Sequence, residues 1–310
     1  MSESPDIHEQ LVDAASGIYG SHPRTRTLHA KGFYCSGSFA ATPEAAALTR
    51  AAHMQGDPVP FITRFSIGGG KPDAHDSVRE SRGMATKFRL ADGTETDLLG
   101  VTAPVFIART PEDFLEVLIA RRPDPETGEP DMERIGAYLQ DHPEALPSVQ
   151  ATLGTPPPAS YAQLAYNSQH AFNLIDAAGE GHWVRYRIEP QAGETTITDE
   201  EAKERGPDYL RSEFSERLAS GPASFDVILI LAEDGDSLVD PTSPWPEDRR
   251  RVLAGTLEVE AIIDDPEAGG GIVVFDPTNV IDGIELPDDP ILHARSGAYS
   301  VSAERRASPG

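Results

Sequence analysis

The chain has 310 residues, 38% of them hydrophobic, with one cysteine and a formal net charge of −25. That length serves one large domain or two modest ones, and the lone Cys35 rules out both an internal disulfide framework and a cysteine-rich metal site. The acidic balance repels phosphate backbones, so no nucleic-acid partner is expected.

The first residues, "MSESPDIHEQ", carry acids and no apolar core of a secretory signal. They read as an arm or short helix over 1–22, and the expected location is the cytoplasm. A strand-like region follows over 27–40, with mixed alternation and glycine breaks. "TPEAAALTRAAHM" (42–54) opens a helix, with Thr42 as N-cap. "VPFITRFS" (59–66) and "GMATKFRL" (83–90) alternate as half-buried strands do. Between them "SIGGGKPD" fails the phosphate-loop pattern and reads as a flexible loop. "DLLGVTAPVFIA" (97–108) is another short apolar segment, and "TPEDFLEVLIARR" (110–122) is a helix with Thr110 as N-cap and Pro111 at its first position. "PDPETGEPDMER" (123–134) reads as a solvated acidic loop.

Further on, 163–176 and 182–190 look like two strands joined by the glycine-bearing "AAGEG". Residues 198–220 are charged and helical over most of their length, and "SFDVILILA" (224–232) is a strand. The last quarter is rich in Pro and Asp, like a segment wrapped over a core, and ends in a short helix near Ala294 to Arg305. "EAGGGIVVF" places its glycines before a strand, the wrong side for a dinucleotide fingerprint. About eight strands spaced like hairpins predict an α+β protein with an antiparallel barrel or strongly bent sheet, whose interior could pack against a large ligand. No stretch approaches the ~20 apolar residues of a membrane span. The nine histidines form no zinc-like spacing, and Cys35 reads as a packed residue.

Two short stretches carry chemistry. "ARSGAY" puts Arg295 four residues before Tyr299, on one helix face. A guanidinium beside a phenol favours the phenolate, a hard anionic ligand for ferric iron. "RTLHAKG" (26–32) sets His29 between a leucine and a glycine-closed turn. Alone, either reads more simply as packing or a surface pair.

Together they resemble the haem catalases. "RTLHAKG" is similar to the motif around the distal histidine of that family, and "RSGAY" to the motif of its proximal haem ligand. "TRFSIGGGKPDAHDSVRESRGMATKF", "DLLGVTAPVF", "FNLIDAAGEGHWVRYRIEP" and "FDPTNVIDGIE" resemble further catalase segments, collinear from about Arg24 to Arg306. The resemblance implies a catalase-like fold: an eight-stranded antiparallel β-barrel with flanking helices and a C-terminal wrapping segment. Within a single 1–310 domain it divides the chain into an arm (1–22), the barrel with inserted helices (23–235), and a wrapping segment with the proximal-ligand helix (236–310).

By the same resemblance, haem b lies between His29 and Tyr299. Tyr299 ligates iron with Arg295 stabilising its charge, and His29 is the general acid–base, oriented by Ser66. Leu28 covers the haem face, Phe106 and Phe114 form apolar walls, and Arg26, Arg64 and Arg306 hold the propionates. Two departures stand out. The chain stops about ten residues after Tyr299, so the later part, with its NADPH, is not expected. The distal asparagine is also missing. Val101 stands in its place with Thr102 beside it, and no asparagine lies between Ala91 and Ala120. Both departures resemble the small catalase-related peroxidases.

The implied activity is reduction of hydrogen peroxide or organic hydroperoxides by an organic electron donor, with weak catalase activity. Thr102 partly replacing the asparagine would instead favour a true catalase. Allene oxide synthases carry a threonine where Leu28 stands, and a haem store needs no His29. A homodimer is expected.

Overall fold

In a computed structural model of the chain, residues 6–307 are described. Among these residues ten strands form one antiparallel sheet: β1 (Gly32–Ala41), β2 (Val59–Ile67), β3 (Arg82–Arg89), β4 (Glu95–Val101), β5 (Tyr166–Asn167), β6 (Phe172–Ile175), β7 (Gly181–Pro190), β8 (Ala223–Leu231), β9 (Arg251–Ile263) and β10 (Ile284–Glu285). Eight close into a barrel in the order β1–β2–β3–β4–β5–β7–β8–β9, with β9 returning to β1. β6 and β10 extend from one end of β7 as a flap. Closure needs strong local twist, and two register shifts supply it, at Ser36/Gly37 against β9 and at Val227/Ile228 against the same strand. Gly37 is required there, because a Cβ would stand 2.1 Å from the Glu258 carbonyl oxygen.

The interior of the barrel is filled. Phe33, Phe39, Phe61, Phe65, Phe88, Tyr166, Phe214 and Phe225 are buried in one cluster, with tilted and edge-on ring contacts of the kind aromatic pairs favour. The expectation that the barrel interior holds a large ligand is therefore corrected: its volume is spent on aromatic packing. Cys35 lies fully buried in this cluster, where burial pushes its thiol pKa up, in keeping with a packed residue.

Alternation along β2 to β4 decides what faces outward. Phe61, Phe65, Phe88 and Leu98 point in, while Arg64, Ser66, Gly83, Ala85, Leu99 and Val101 point to the other face. Among the described residues eight α-helices accompany the sheet. Five border that outer face: α1 (Ile7–Tyr19), α3 (Pro111–Ala120), α4 (Met132–Asp141), α5 (Leu146–Gly154) and α8 (Pro290–Ala307). α1 presents Leu11, Val12, Ala14 and Ala15 inward, against α3 and α8. α3 starts as the sequence predicts: Thr110 and Asp113 form a reciprocal capping box, with Pro111 at the first position.

Several expectations are revised. The stretch 163–176 is two strands, because β5 pairs with Arg187 and Ile188 whereas β6 pairs with residues 181–184, and Gln169 between them takes φ 65°. The charged stretch 198–220 breaks into α6 (Asp199–Arg205) and α7 (Tyr209–Leu218) at Gly206, φ 86°, and Pro207. The 42–54 helix is only α2 (Pro43–Ala46) and a separate 3-10 turn, Ala52–Met54. The acidic stretch 123–134 contains the N-cap of α4, Asp131, which accepts from Glu133 and Arg134. The glycines at 269–271 precede a segment without strand pairing. Of the arm, residues 1–5 lie outside the described residues and the rest is mostly α1. The barrel also runs past 235, since β9, its longest strand, falls in the range assigned to wrapping. Its outward positions include Arg251, Glu258 and Glu260, which give the stretch a charged look.

Candidate active site

A cavity of about 980 Å3 lies between the outer face of β2–β4 and helices α1, α3, α4, α5 and α8. Its size is at the upper end for small-molecule sites, ~300–1,000 Å3. Leu28, His29, Arg26, Arg64, Ser66, Phe106, Phe114, Arg295, Tyr299 and Arg306 all line it, so ten of the eleven predicted site residues converge.

Thr102 does not. It continues the alternation of β4, which puts Val101 on the cavity face and Thr102 away from it. Its hydroxyl accepts from the Arg82 N–H at 3.0 Å, and its own N–H donates to the Arg82 carbonyl. Asn167, next to Val101 in the sheet, sends its amide to the Val101 and Thr102 carbonyls. Gln169, which does line the cavity, spends its amide on the Ala103 and Val105 carbonyls. Neither Thr102 nor these amides stands in for the missing asparagine.

His29 occupies the left-handed region, φ 55°. A non-glycine residue there costs on the order of 1–3 kcal/mol and persists only where its surroundings enforce it. Here they do. The His29 and Ala30 N–H groups donate to the Gly68 and Gly69 carbonyls, and the Arg64 guanidinium donates to the His29 and Ala30 carbonyls. Gly70 lets the two loops meet, since a Cβ there would lie 2.2 Å from the Thr27 oxygen. The glycine run expected to be a flexible loop is thus the mould of the His29 segment. Lys31 fixes the other end through Asp76, at 2.8 Å, and the Ala74 and Pro207 carbonyls.

The His29 ring lies over a row of small residues in register, Ser66–Gly83–Val101. Its Nδ1 is 2.9 Å from Ser66 Oγ. A Cβ on Gly83 would come within 2.9 Å of both the ring and that hydroxyl. Burial, reinforced by Arg64, Arg295 and Arg26, pushes the His29 pKa down to about 3, so the ring is neutral at pH 7.

On the opposite wall, Arg295 Nε and Nη2 donate to Tyr299 Oη at 3.0 and 2.8 Å. Arg295 Nη1 lies 2.8 Å from His170 Nε2, and His170 Nδ1 lies 2.7 Å from Asp289 Oδ2. A guanidinium can only donate. His170 Nε2 therefore accepts, and its proton sits on Nδ1 facing the carboxylate. Burial pushes the His170 pKa down to about 4, consistent with that neutral tautomer. Asp289 Oδ1 also caps α8 through the Ile291 and Leu292 N–H groups. One carboxylate thus starts the helix and anchors the chain of contacts that ends on Tyr299.

At the third edge, Arg26, Arg64 and Arg306 line the cavity together; Glu267 accepts from Arg26, lies 3.7 Å from Arg306 and acts on Arg64 only through its field. Arg64 and Arg306 are 6% and 8% exposed, yet Arg64 Nε and Arg306 Nε and Nη1 have no partner. Burial first, then the facing Arg26, pushes Arg64 down to about 10. Glu267 is the carboxylate bonded within this edge, with Asp265 acting on Arg306 from farther off, and three buried donors remain unmatched. A flat, largely apolar ligand with two carboxylates fits this edge, and the porphyrin of haem is such a ligand.

A match to the family model described as Catalase extends over residues 13–310. The chain belongs to the catalase family. Within it, the chain is 40% identical to a catalase-related peroxidase of Mycolicibacterium paratuberculosis, over 96% of this chain and 94% of that protein. It is 35% identical to a catalase-related peroxidase of Synechococcus elongatus, over 96% and 88%. Catalase A of Saccharomyces cerevisiae superimposes with a TM-score of 0.82 at 25% identity, over 92% of this chain and 62% of that one. The fold is thus that of catalases, at a length matching the shorter relatives.

Sequence reasoning missed Gly83, His170, Asp289 and Glu267. Gly83 was visible inside "RGMATKF", and Asp289 as an acid just before a helix. Nothing local marks His170 or Glu267, which reach the site from 125 positions before Arg295 and 241 positions after Arg26. The fold also brings Asp113, His142 and Glu144 within 4.8 Å, but Asp113 is already engaged in the α3 capping box.

Proposed function

We propose that this protein is a haem-dependent peroxidase that reduces hydrogen peroxide and organic hydroperoxides with electrons from an organic donor, and that its catalase activity is weak. The observation that carries this reading is the pairing across one cavity of a neutral His29 with an Arg295-supported Tyr299, beside a dicarboxylate-matched arginine edge. The names of the two catalase-related peroxidases to which the chain is similar support it.

Tyr299 would hold the iron of haem b, with Arg26, Arg64 and Arg306 on its carboxylates and Leu28, Phe106 and Phe114 against its faces and rim. Bound haem supplies the redox chemistry of O–O cleavage. The chain supplies the protons and the geometry. With Nδ1–H donated to Ser66 Oγ, His29 Nε2 keeps a free lone pair. It takes the proton from one peroxide oxygen and returns it to the other as that oxygen departs as water or alcohol. Two electrons and two protons complete each turnover, and the donor supplies the electrons. The apolar Val101 offers no hydrogen bond to orient a second peroxide as that donor. This separates the reading from a true catalase.

The cavity lining also includes Met132, Ile135, Leu139, Val149 and Leu153, of which Met132 is 71% and Leu153 59% exposed. Apolar lining that meets solvent suits organic hydroperoxides and apolar donors. The expected homodimer and a cytoplasmic location remain part of this proposal. Among the described residues no helix is long and apolar enough to cross a membrane.

The test is an absorption spectrum of the purified protein with guaiacol oxidation driven by hydrogen peroxide and by cumene hydroperoxide. Phenolate-ligated ferric haem and turnover with both peroxides are expected. Tight haem binding without turnover overturns the enzyme reading, and oxygen evolution at the rates of long catalases overturns the peroxidase preference.

A further inference from the structure

Glu267 stands behind the arginine edge and is assigned no part by the reading above. Its Oε2 accepts from Arg26 Nη1 at 2.6 Å and from the Tyr34 hydroxyl at 2.9 Å, and its Oε1 accepts from the Val273 N–H at 2.8 Å. Arg306 Nη2 lies 3.7 Å from Oε1. Arg26 is further held by Tyr34 Oη and the Val273 carbonyl. The Glu267 side chain is 15% exposed. Burial works against its charge, but Arg26, the Val273 N–H, Arg306 and Tyr34 together hold its carboxyl below the usual range.

Without a bound dicarboxylate, three largely buried guanidiniums at one edge repel one another, and Glu267, bonded to Arg26 and 3.7 Å from Arg306, is the buried anion that offsets this. Once two carboxylates enter, the same charge opposes them across a short, poorly screened distance. We infer that Glu267 is a resident counter-ion of the propionate edge, which stabilises the haem-free protein and weakens its hold on haem. This rests on reading the cavity as a haem site. The consequence has opposite signs in the two states, whereas a residue that merely shapes the edge would shift both the same way.

The experiment titrates haem into haem-free wild type, Glu267→Gln and Tyr34→Phe, followed by absorption, and repeats it with haem dimethyl ester, which carries no carboxylates. Thermal unfolding of each haem-free protein is measured alongside. Glu267→Gln should bind haem roughly ten-fold more tightly, bind the ester unchanged, and melt at a lower temperature when haem-free. Tyr34→Phe keeps the charge and should leave haem affinity within about two-fold. Haem affinity in Glu267→Gln that is equal to or weaker than wild type, or an equal gain for the ester, overturns the inference. Wild type that takes up neither form of haem removes the haem reading itself, and the inference with it.

Discussion

The two walls of the cavity are built in opposite ways. His29 sits on irregular chain in a strained left-handed conformation, held almost entirely by backbone contacts, with one hydroxyl on its ring. Tyr299 sits mid-helix, and its oxygen ends a run of charge-assisted contacts from Asp289 through His170 and Arg295. The difference follows the task proposed for each. A group that exchanges protons needs a neutral ring and a free nitrogen, so the fold buries the ring, surrounds it with cations that disfavour its protonation, and fixes the backbone. A group that holds an iron needs a permanently stabilised anionic oxygen, and a regular helix with i, i+4 spacing delivers the guanidinium to it.

Tyr299→Phe cuts the comparison at its strongest point. It should abolish or severely weaken haem retention and remove the phenolate-type absorption spectrum, and an unchanged spectrum would refute the assignment. His29→Ala should instead retain haem and lower kcat/KM for peroxide roughly 10²–10⁴-fold, as loss of a positioned general base does. Gly83→Ala sharpens the contrast, because it touches only the His29 wall. A methyl within 2.9 Å of the ring and of Ser66 Oγ must displace one of them. A loss of about 10²-fold in turnover, with haem content and spectrum intact, is expected, since a misplacement of about 1 Å costs that much. Ser66→Ala should cost about ten-fold or less, the worth of one neutral hydrogen bond.

The smallest effect is on pH. His29 titrates near 3 in the folded protein, so peroxide turnover should vary less than about two-fold from pH 5 to 8, with no step near 6.5. Stability behaves differently. His29, His53 and His170 all have folded pKa values below the unfolded one, chiefly through burial, so the unfolded chain binds protons first. Their contribution is fully present above pH 6.5 and is lost as pH falls toward 4, which urea melts at pH 7, 6 and 5 would record as a falling midpoint.

The placement of the residues on the two walls is partly legible along the chain, although their chemistry is read only through the resemblance to catalases. The spacing of Arg295 and Tyr299 on one helix follows from the period of 3.6 residues, and the α3 capping box from the order of residues at Thr110 to Asp113. The alternation of β2 and β3 puts Arg64 and Ser66 on one face before any partner is known. Thr102 was misread because its neighbour's parity, and not its chemistry, decides which way it points. β9 was misplaced, its outward Arg251, Glu258 and Glu260 giving the stretch a charged look.

What the sequence by itself determined is local: elements with strong period or caps, a single buried thiol, and the residue types at each wall. Tertiary structure decided the rest. It filled the barrel with aromatic rings and moved the cavity outside it. It brought His170 and Asp289 to Tyr299, and it set Glu267 at the edge lined by Arg26, Arg64 and Arg306. The physical reason is the same in each case. Periodicity and capping act over a few residues, whereas burial, unpaired charge and steric room arise only where distant segments meet.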